Sequence, residues 1–334
     1  MELISPGYYE DFACIAGDCP DSCCKEWCVD VDADAAAFYR QLPGALGDRL
    51  REVLQDTEDG TIMVIEDGRC PMWRQDGLCR IQAELGHDAL CKTCREFPRL
   101  RHEYGDFTEL GLELSCPEAA RLILTASNYN FISRTVPGGD VPEYDAQAMT
   151  TLRRTRREFL NFLDGTSLPF AKILAILLLY AYEVQEELDG GVNAVLDTES
   201  CLADAAKFAG KGSPRALQDF FLGLEILTPQ WEDRLRSEAV TPQWNPRHKA
   251  LLRYFICRYW LQAISDYDLV CRAKLAIAGC LLIGFLGGDL TETAQLFSKE
   301  IENDPDNVEA ILDGAYTAPA LTDTALLGLL LGAE

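Results

Sequence analysis

Apolar positions recur with a helical period through most of the chain after residue 118. This spacing predicts a series of helices, and Ser213-Pro214 and Asp304-Pro305 are typical helix starts. The predicted helices cover residues 146–163, 168–188, 199–210, 213–227, 247–265, 267–286, 289–302, 305–314 and 320–331, and PEAARLILTAS begins one more. Alternating apolar segments are too short for a large sheet, so we predict an all-helical domain at 121–334 without a Rossmann sheet.

Residues 1–120 contain many turn pairs, such as Gly-Asp and Cys-Pro, and few periodic segments. They predict short helices at 32–41 and 43–55, a strand at 61–67, and a helical turn in CRIQAELG that ends at Gly86. A segment with so little periodic apolar sequence needs another constraint, which a bound metal would supply. The predicted fold class is therefore mainly α, with a cysteine-rich, loop-rich, metal-binding N-terminal lobe (1–120) packed on the helical domain (121–334).

Ten of the fourteen cysteines lie before residue 117. The start MELISPGYYEDF lacks a basic segment followed by an apolar run, so we expect no secretory signal and a cytoplasmic location, where structural disulfides are rare. Thiolates are ligands for iron–sulfur clusters and for zinc. Spacings such as Cys91-x2-Cys94 match neither the ferredoxin run nor a regular zinc finger, so both metals stay open, with iron–sulfur favoured. His87 and His102 are predicted to be surface residues rather than ligands.

The other four cysteines, Cys201, Cys257, Cys271 and Cys280, lie among apolar residues of predicted helices and are predicted to be core. Lys and Arg number 30 against 54 Asp and Glu, which gives a net charge of -24. This acidity disfavours nucleic acid and anionic lipid and favours a basic partner, unless it serves solubility alone. The apolar runs at 173–184 and 275–288 are too short to span a membrane and predict buried helices.

Three cysteine-rich segments, in this order, resemble the flagellin lysine-N-methylase (FliB) family: PGYYEDFACIAGDCPDSCCKEW, DGRCPMWRQDGLCRIQAELGHDALCKTCREFPR and LELSCPEAARLIL. The resemblance continues through LLRYFICRYWLQAISDYD and FSKEIENDPDNVEAI, and so covers essentially the whole chain. It implies a protein that binds a [4Fe-4S] cluster and methylates the ε-amino groups of flagellin lysines, with S-adenosylmethionine (SAM) as donor. The matching cysteines are Cys14, Cys19, Cys23, Cys24, Cys70, Cys79, Cys94 and Cys116, whereas Cys28 and Cys91 are extra.

These eight cysteines exceed the four thiolates that one cluster needs, so either some are not ligands or two metal sites exist. Cys70, Cys79 and Cys94 lie in one compact stretch and are predicted to share a site, with Cys24 or Cys116 as the fourth ligand.

Methyl transfer to lysine requires a neutral amine, although the unperturbed pKa of lysine is about 10.4. Aromatic side chains near the cysteines provide an apolar channel, or else are ordinary core residues: Tyr8, Tyr9, Trp27 and Trp73. No acidic residue is singled out as the base. The glycine motifs FAGKGSP (208–214) and IGFLGGD (283–289) follow helical sequence and are predicted to be helix ends rather than a SAM loop.

The basic run RRTRRE (153–158) predicts a helix face paired with carboxylates, or alternatively a dock for an acidic patch of the substrate or for the carboxylate of SAM. Two other functions stay open at this point. One is a cluster-bearing redox or electron-transfer protein, and the other is a zinc-stabilised protein-binding module.

Overall fold

The computed structural model of the chain describes residues 1–25, 29–58, 60–127, 129–141 and 143–332. Helix accounts for 58% of it, which confirms the mainly α class. The α-helices of the described residues are α1 (Ala33–Gln41), α2 (Gly44–Val53), α3 (Arg80–Leu85), α4 (Lys92–Glu96), α5 (Pro117–Thr125), α6 (Ala146–Gly165), α7 (Phe170–Leu188), α8 (Thr198–Phe208), α9 (Pro214–Leu222), α10 (Pro229–Arg236), α11 (Pro246–Tyr259), α12 (Val270–Leu286), α13 (Leu290–Phe297), α14 (Pro305–Thr317) and α15 (Asp323–Leu331). The strands are β1 (Glu2–Pro6), β2 (Val29–Val31), β3 (Leu54–Asp56), β4 (Thr61–Met63), β5 (Arg99–Glu103), β6 (Phe107–Leu112) and β7 (Phe131–Thr135).

Most helices begin and end within a few residues of their predicted limits. Both predicted proline starts are confirmed: the Ser213 hydroxyl accepts a hydrogen bond from the N–H of Ala216 at 3.2 Å. The Asp304 carboxylate does the same for the N–H of Asp306 at 2.9 Å. Two differences stand out, because α10 was not predicted and the predicted helix 289–302 ends in a π-helix at Ser298–Glu302.

Helix α12 lies at the centre of the helical region and is buried along its whole length. Apart from Arg272 and Lys274 in its first turns, its sequence is apolar on every face, as expected of a helix surrounded by others. Helices α7, α11 and α14 pack around it. Within the described residues, no helix combines the length and the apolar character that a membrane span requires.

A four-stranded sheet corrects the expectation that residues 121–334 are all helical. Its order is β5-β6-β1-β7, with β1 parallel to β6 and antiparallel to β7. Strand β7 lies after residue 120 and is exposed at every position, so it carries no alternation that a pattern could detect. A second sheet has the order β2-β4-β3, and the predicted strand 61–67 is confirmed only over β4. Among the described residues neither sheet is doubly wound and parallel.

Apolar side chains of the described residues pack into two cores. The large core joins α5 to α15 with the four-stranded sheet, and it includes Ile4, Phe12 and Phe107. The small core is built by residues 29–91 and contains thirteen buried residues, two of which are Cys70 and Cys91. The division of the chain at residue 120 stays a prediction.

The basic run RRTRRE pairs with carboxylates, as predicted, but one of its arginines does so in the interior. Arg154 binds Glu158 and Glu187 at the surface of α6. Arg156 binds Glu109 of β6 through two parallel hydrogen bonds, one of them 2.8 Å from Nη1 to Oε2. Both side chains are only 8% exposed, so this ion pair ties the sheet to α6 away from water.

Candidate metal centre

A cavity of about 600 Å³ lies between the small core and the large core. Its wall includes nine cysteines: Cys14, Cys19, Cys23, Cys24, Cys70, Cys79, Cys91, Cys94 and Cys116. We call it the thiol cavity. All eight cysteines predicted as ligands therefore face one space, and Cys91 joins them. Cys28 lies outside the described residues.

Close backbone contacts bring the separate cysteine segments together. The N–H of Cys70 donates to the carbonyl of Cys24 over 2.8 Å. Gly17 approaches the turn before Cys79 so closely that a Cβ on it would lie 2.9 Å from the carbonyl oxygen of Asp76. Gly77 faces Gly17 and has a φ of 78°, a conformation that glycine adopts without strain. Glycine at these two positions therefore allows the loop from Cys14 to Cys24, which we call the first cysteine loop, to pack on the loop from Cys70 to Cys79.

Three of the thiols are placed by helix starts. Cys79, Cys91 and Cys116 immediately precede α3, α4 and α5, respectively. Backbone N–H groups of the first turn donate to each of these sulfurs and lower the pKa of each thiol in part. Such donors favour the thiolate form, which is the form that binds metals.

Burial works in the opposite direction and raises the pKa of most thiols in the cavity, for example that of Cys70 to about 12. Two thiols differ. A hydrogen bond from Cys23 lowers the pKa of Cys24 to about 7, and one from Cys94 lowers the pKa of Cys91 to about 7. The cavity is thus a set of thiols held mostly protonated by burial, from which an entering cation would displace protons.

Among the described residues, no three His, Cys, Asp or Glu side chains lie close enough together to share one metal ion. A tetrahedral zinc site, with Zn–S bonds of about 2.3 Å, needs sulfurs about 3.8 Å apart. A cubane cluster instead binds each thiolate to a different iron and keeps the sulfurs further apart. Soft donors spread around a cavity therefore fit an iron–sulfur cluster better than a single zinc ion. Ligation by the individual cysteines stays a prediction.

The large core contributes a polar wall to the thiol cavity. The π-helix supplies Lys299 and Glu300 to it. Lys299 binds the carboxylate of Asp21 at 3.2 Å, and Lys25 binds the same group at 2.7 Å. Burial raises the pKa of Asp21, but the hydrogen bond from Lys25 and the charge of Lys299 outweigh burial and hold this pKa below its usual value. These contacts tie the first cysteine loop to the helical region.

Residues 225–228, which we call the rim segment, are fixed by two buried side chains. Glu300 is only 1% exposed, and its carboxylate accepts hydrogen bonds from Leu227 N–H, at 2.8 Å, and from Thr228. Burial raises the pKa of Glu300. The side-chain amide of Asn307 exchanges two hydrogen bonds of 2.9 Å with the backbone of Glu225 and donates to the carbonyl of Glu300 at 3.0 Å.

The aromatic channel is not formed by the aromatic side chains that the structure describes. Tyr8 and Tyr9 pack against the large core. Trp73 is partly buried, and the guanidinium of Arg69 lies 3.9 Å from the centre of its ring. None of these three lines the thiol cavity, and Trp27 lies outside the described residues. The alternative of ordinary packing residues therefore describes them better.

The remaining candidates are placed as predicted, with one exception. Cys201, Cys257, Cys271 and Cys280 all belong to apolar packing away from the thiol cavity. Both glycine motifs follow helix ends, at α8 and α12. His87 is exposed at the wall of the thiol cavity, whereas His102 is partly buried. Burial lowers the pKa of His102, and its Nε2 has no hydrogen-bond partner among the described residues.

Several residues of the cavity wall were not predicted, among them Cys91, Lys299 and Glu300. The spacing Cys91-x2-Cys94 was the available signal for Cys91. Lys299 and Glu300 have no such signal, because the π-helix that turns them toward the cavity is indistinguishable from regular helix in the apolar pattern.

Curated proteins of Salmonella are similar to this chain. The flagellar biosynthetic protein FliU of Salmonella muenchen is 33% identical over 134 residues, which span 37% of this chain and 78% of FliU. The lysine-N-methylases of Salmonella choleraesuis and Salmonella typhimurium are also 33% identical over 134 residues, but the match spans only 33% of their length. No protein-family profile and no solved structure matches the chain.

The match to FliU covers most of that protein, and the two lysine-N-methylases match at the same identity. The chain therefore belongs to the family of FliU and these lysine-N-methylases, which confirms the resemblance drawn from its cysteine-rich segments.

Proposed function

We propose that this chain transfers a methyl group from SAM to lysine ε-amino groups of flagellin, with a [4Fe-4S] cluster in the thiol cavity. The proposal rests on one observation: nine cysteines line a single cavity in a chain that is related to lysine-N-methylases. The name of FliU supports a flagellar partner. The net charge of -24 favours a protein substrate that presents lysine.

The ligands proposed for the cluster are four cysteines that we call the inner thiols: Cys24, Cys70, Cys79 and Cys94. Cys70 and Cys79 interact electrostatically with each other and with Cys24, and Cys94 interacts with Cys24 as well. The backbone hydrogen bond between Cys70 and Cys24 supports Cys24 as the fourth ligand. With a thiolate on each of its four irons, the bound cluster would supply a cross-link for the small core.

The chain's own task is to bind the lysine and remove its proton. The lysine nitrogen forms a bond to the methyl carbon as the carbon–sulfur bond of SAM breaks, which leaves S-adenosylhomocysteine and one proton. Acidic side chains of the cavity wall other than Asp21, which is paired with two lysines, would attract the ammonium group beforehand: Glu118, Glu225, Glu300 and Asp304. Glu300 is the proposed proton acceptor, because it lies at the cavity wall and burial raises the pKa of its carboxyl above the usual value, which makes the carboxylate a stronger base.

The test is an anaerobic assay with reconstituted protein, purified flagellin and SAM that carries a labelled methyl group. We expect label on flagellin lysines, found by mass spectrometry of peptides, together with iron and sulfide in the protein. The variant with Cys70→Ser and Cys79→Ser should lose iron and labelling together. Cys280→Ala is the matched control, because Cys280 is buried in the large core, and it should keep both.

Two results would contradict the proposal. Protein that cycles one electron but never labels flagellin would favour the redox alternative. Stoichiometric zinc without iron would favour the zinc-stabilised binding module.

A further inference from the structure

Five cysteines that face the thiol cavity are not among the ligands proposed above, and four of them remain when Cys91 is set aside. We call them the outer thiols: Cys14, Cys19, Cys23 and Cys116. Three come from the first cysteine loop, and the fourth begins α5. Four is the number of thiolates that a complete cubane cluster uses.

The outer thiols have one another as neighbours. Cys116 interacts electrostatically with Cys14 and Cys19, and Cys23 interacts with Cys14 and Cys116. Cys19 likewise interacts with Cys14. Each member therefore has at least two others within electrostatic range.

The two groups of thiols are also anchored in different parts of the fold. Cys116 packs against the large core, whereas Cys24, Cys70 and Cys79 pack in the small core. The groups are in contact where Cys23 and Cys24 are neighbours in sequence and share a hydrogen bond. Cys19 also interacts with Cys24, and Cys23 interacts with Cys94. The thiol cavity is thus lined by two adjoining four-cysteine groups, and Cys91 lies beside the inner one, where it interacts with Cys70, Cys79 and Cys94.

We propose that the outer thiols hold a second iron–sulfur cluster, separate from the cluster at the inner thiols. This inference rests on the proposal that the thiol cavity holds iron–sulfur clusters, and it does not depend on methyl transfer. The chemistry of the donors is the same in both groups. The outer group, like the inner one, has no three donors gathered for a single ion among the described residues.

The outer site is the one beside the polar wall. The Cys19 thiol donates to the carbonyl of Asp21 at 3.2 Å, and the carboxylate of Asp21 binds Lys299. A molecule bound against Lys299 and Glu300 would therefore lie next to the outer cluster.

The two sites should also differ in what they stabilise. Cys70 belongs to a core of only thirteen buried residues, and Cys24 and Cys79 pack against it, so loss of the inner cluster should loosen residues 29–91. The first cysteine loop is also held by the ion pairs of Asp21 with Lys25 and Lys299, so loss of the outer cluster should leave the small core intact.

The experiment measures iron and sulfide per chain after anaerobic reconstitution of the full chain. Wild-type protein should hold about eight of each, four for each cluster. The variant with Cys19→Ser and Cys116→Ser should hold about four, keep the ultraviolet circular dichroism of the wild type, and keep residues 29–91 resistant to protease. A variant with Cys257→Ala and Cys280→Ala is the matched control and should hold about eight. In the reduced wild type, two nearby paramagnetic clusters should broaden each other's electron paramagnetic resonance signal, and the outer variant should show a single narrow signal.

Each other result has a definite meaning. About four iron atoms in both wild type and outer variant would overturn the second cluster and leave the proposed function standing. About four in the wild type and none in the outer variant would overturn both the second cluster and the choice of the inner thiols. Zinc in place of the second four irons would overturn an iron–sulfur cluster at the outer thiols, and a wild type without iron would overturn both proposals.

Discussion

The buried ion pair between Arg156 and Glu109 gives the sharpest stability prediction. It joins α6 to β6, and both side chains are only 8% exposed. Replacing Arg156 by Met would leave the Glu109 carboxylate without its cation in a place that water does not reach. Removing one partner of a buried pair typically costs about 3–5 kcal/mol, so we expect Arg156→Met to lower the free energy of unfolding by this amount.

The neighbouring arginine provides a matched control on the same helix. Arg157 is exposed, so Arg157→Met should change the free energy of unfolding by less than about 0.5 kcal/mol. The double variant with Glu109→Leu and Arg156→Met removes both charges together, and an apolar replacement of a buried pair is often neutral. We therefore expect it to be more stable than Arg156→Met alone by at least about 2 kcal/mol.

Urea unfolding followed by circular dichroism and tryptophan fluorescence measures all four proteins under the same metal-loading conditions. The reasoning fails if Arg156→Met costs no more than Arg157→Met. It also fails if the double variant is no more stable than Arg156→Met alone, because the cost would then not come from the unpaired Glu109 carboxylate.

Three further predictions concern the cavity wall and the packing of α15. Burial raises the pKa of Glu300, so this residue stabilises the fold fully below pH 4.5, and the stabilisation is lost as the pH rises through the raised pKa. Glu300→Gln should remove this loss. Parallel pH profiles of urea unfolding for the wild type and Glu300→Gln would contradict the prediction. Asn307→Ala should lower the free energy of unfolding by about 2–3 kcal/mol and, because it loosens the rim segment, raise the KM for flagellin. An unchanged KM would show that the rim segment does not contribute to substrate binding. Gly328→Ala should lower the free energy of unfolding, measured by thermal unfolding, by about 1–3 kcal/mol, because the new Cβ would lie 2.2 Å from the carbonyl oxygen of Gly210. A Cβ at Gly165 would meet open space, so Gly165→Ala should leave the stability nearly unchanged.

The long helices could be predicted because their signals are local. Helices α7 and α12 are 19 and 17 residues long and mostly buried, so their apolar period extends over several turns. The caps Ser213 and Asp304 mark the starts of α9 and α14 through hydrogen bonds to N–H groups no more than three residues away. Sequence and structure agree best where the stabilising contact lies a few positions away.

The sheet could not be predicted in the same way. The pairing of β1 with β6 joins residues near the start of the chain to residues near position 108, and no local pattern records such a contact. Strand β7 is exposed on both faces, and β1 and β5 have only five residues each. The expectation of a purely helical region after residue 120 was wrong for this reason.

The sequence predicted which residues belong to the candidate site, but it did not predict how these residues are arranged in space. Counting cysteines and comparing segments with a known family identified the eight thiols, but the distance along the chain does not tell which of them are neighbours. Cys116 interacts with Cys14 and Cys19 from the far end of the cysteine-rich region, whereas the adjacent residues Cys23 and Cys24 have largely different thiol neighbours. Outside helices, consecutive side chains leave the backbone in different directions, so a Cys-Cys pair is suited to joining two sites. Cys23 donates a hydrogen bond that lowers the pKa of Cys24 to about 7, so a metal that displaces the Cys23 proton would also remove the hydrogen bond that favours the Cys24 thiolate.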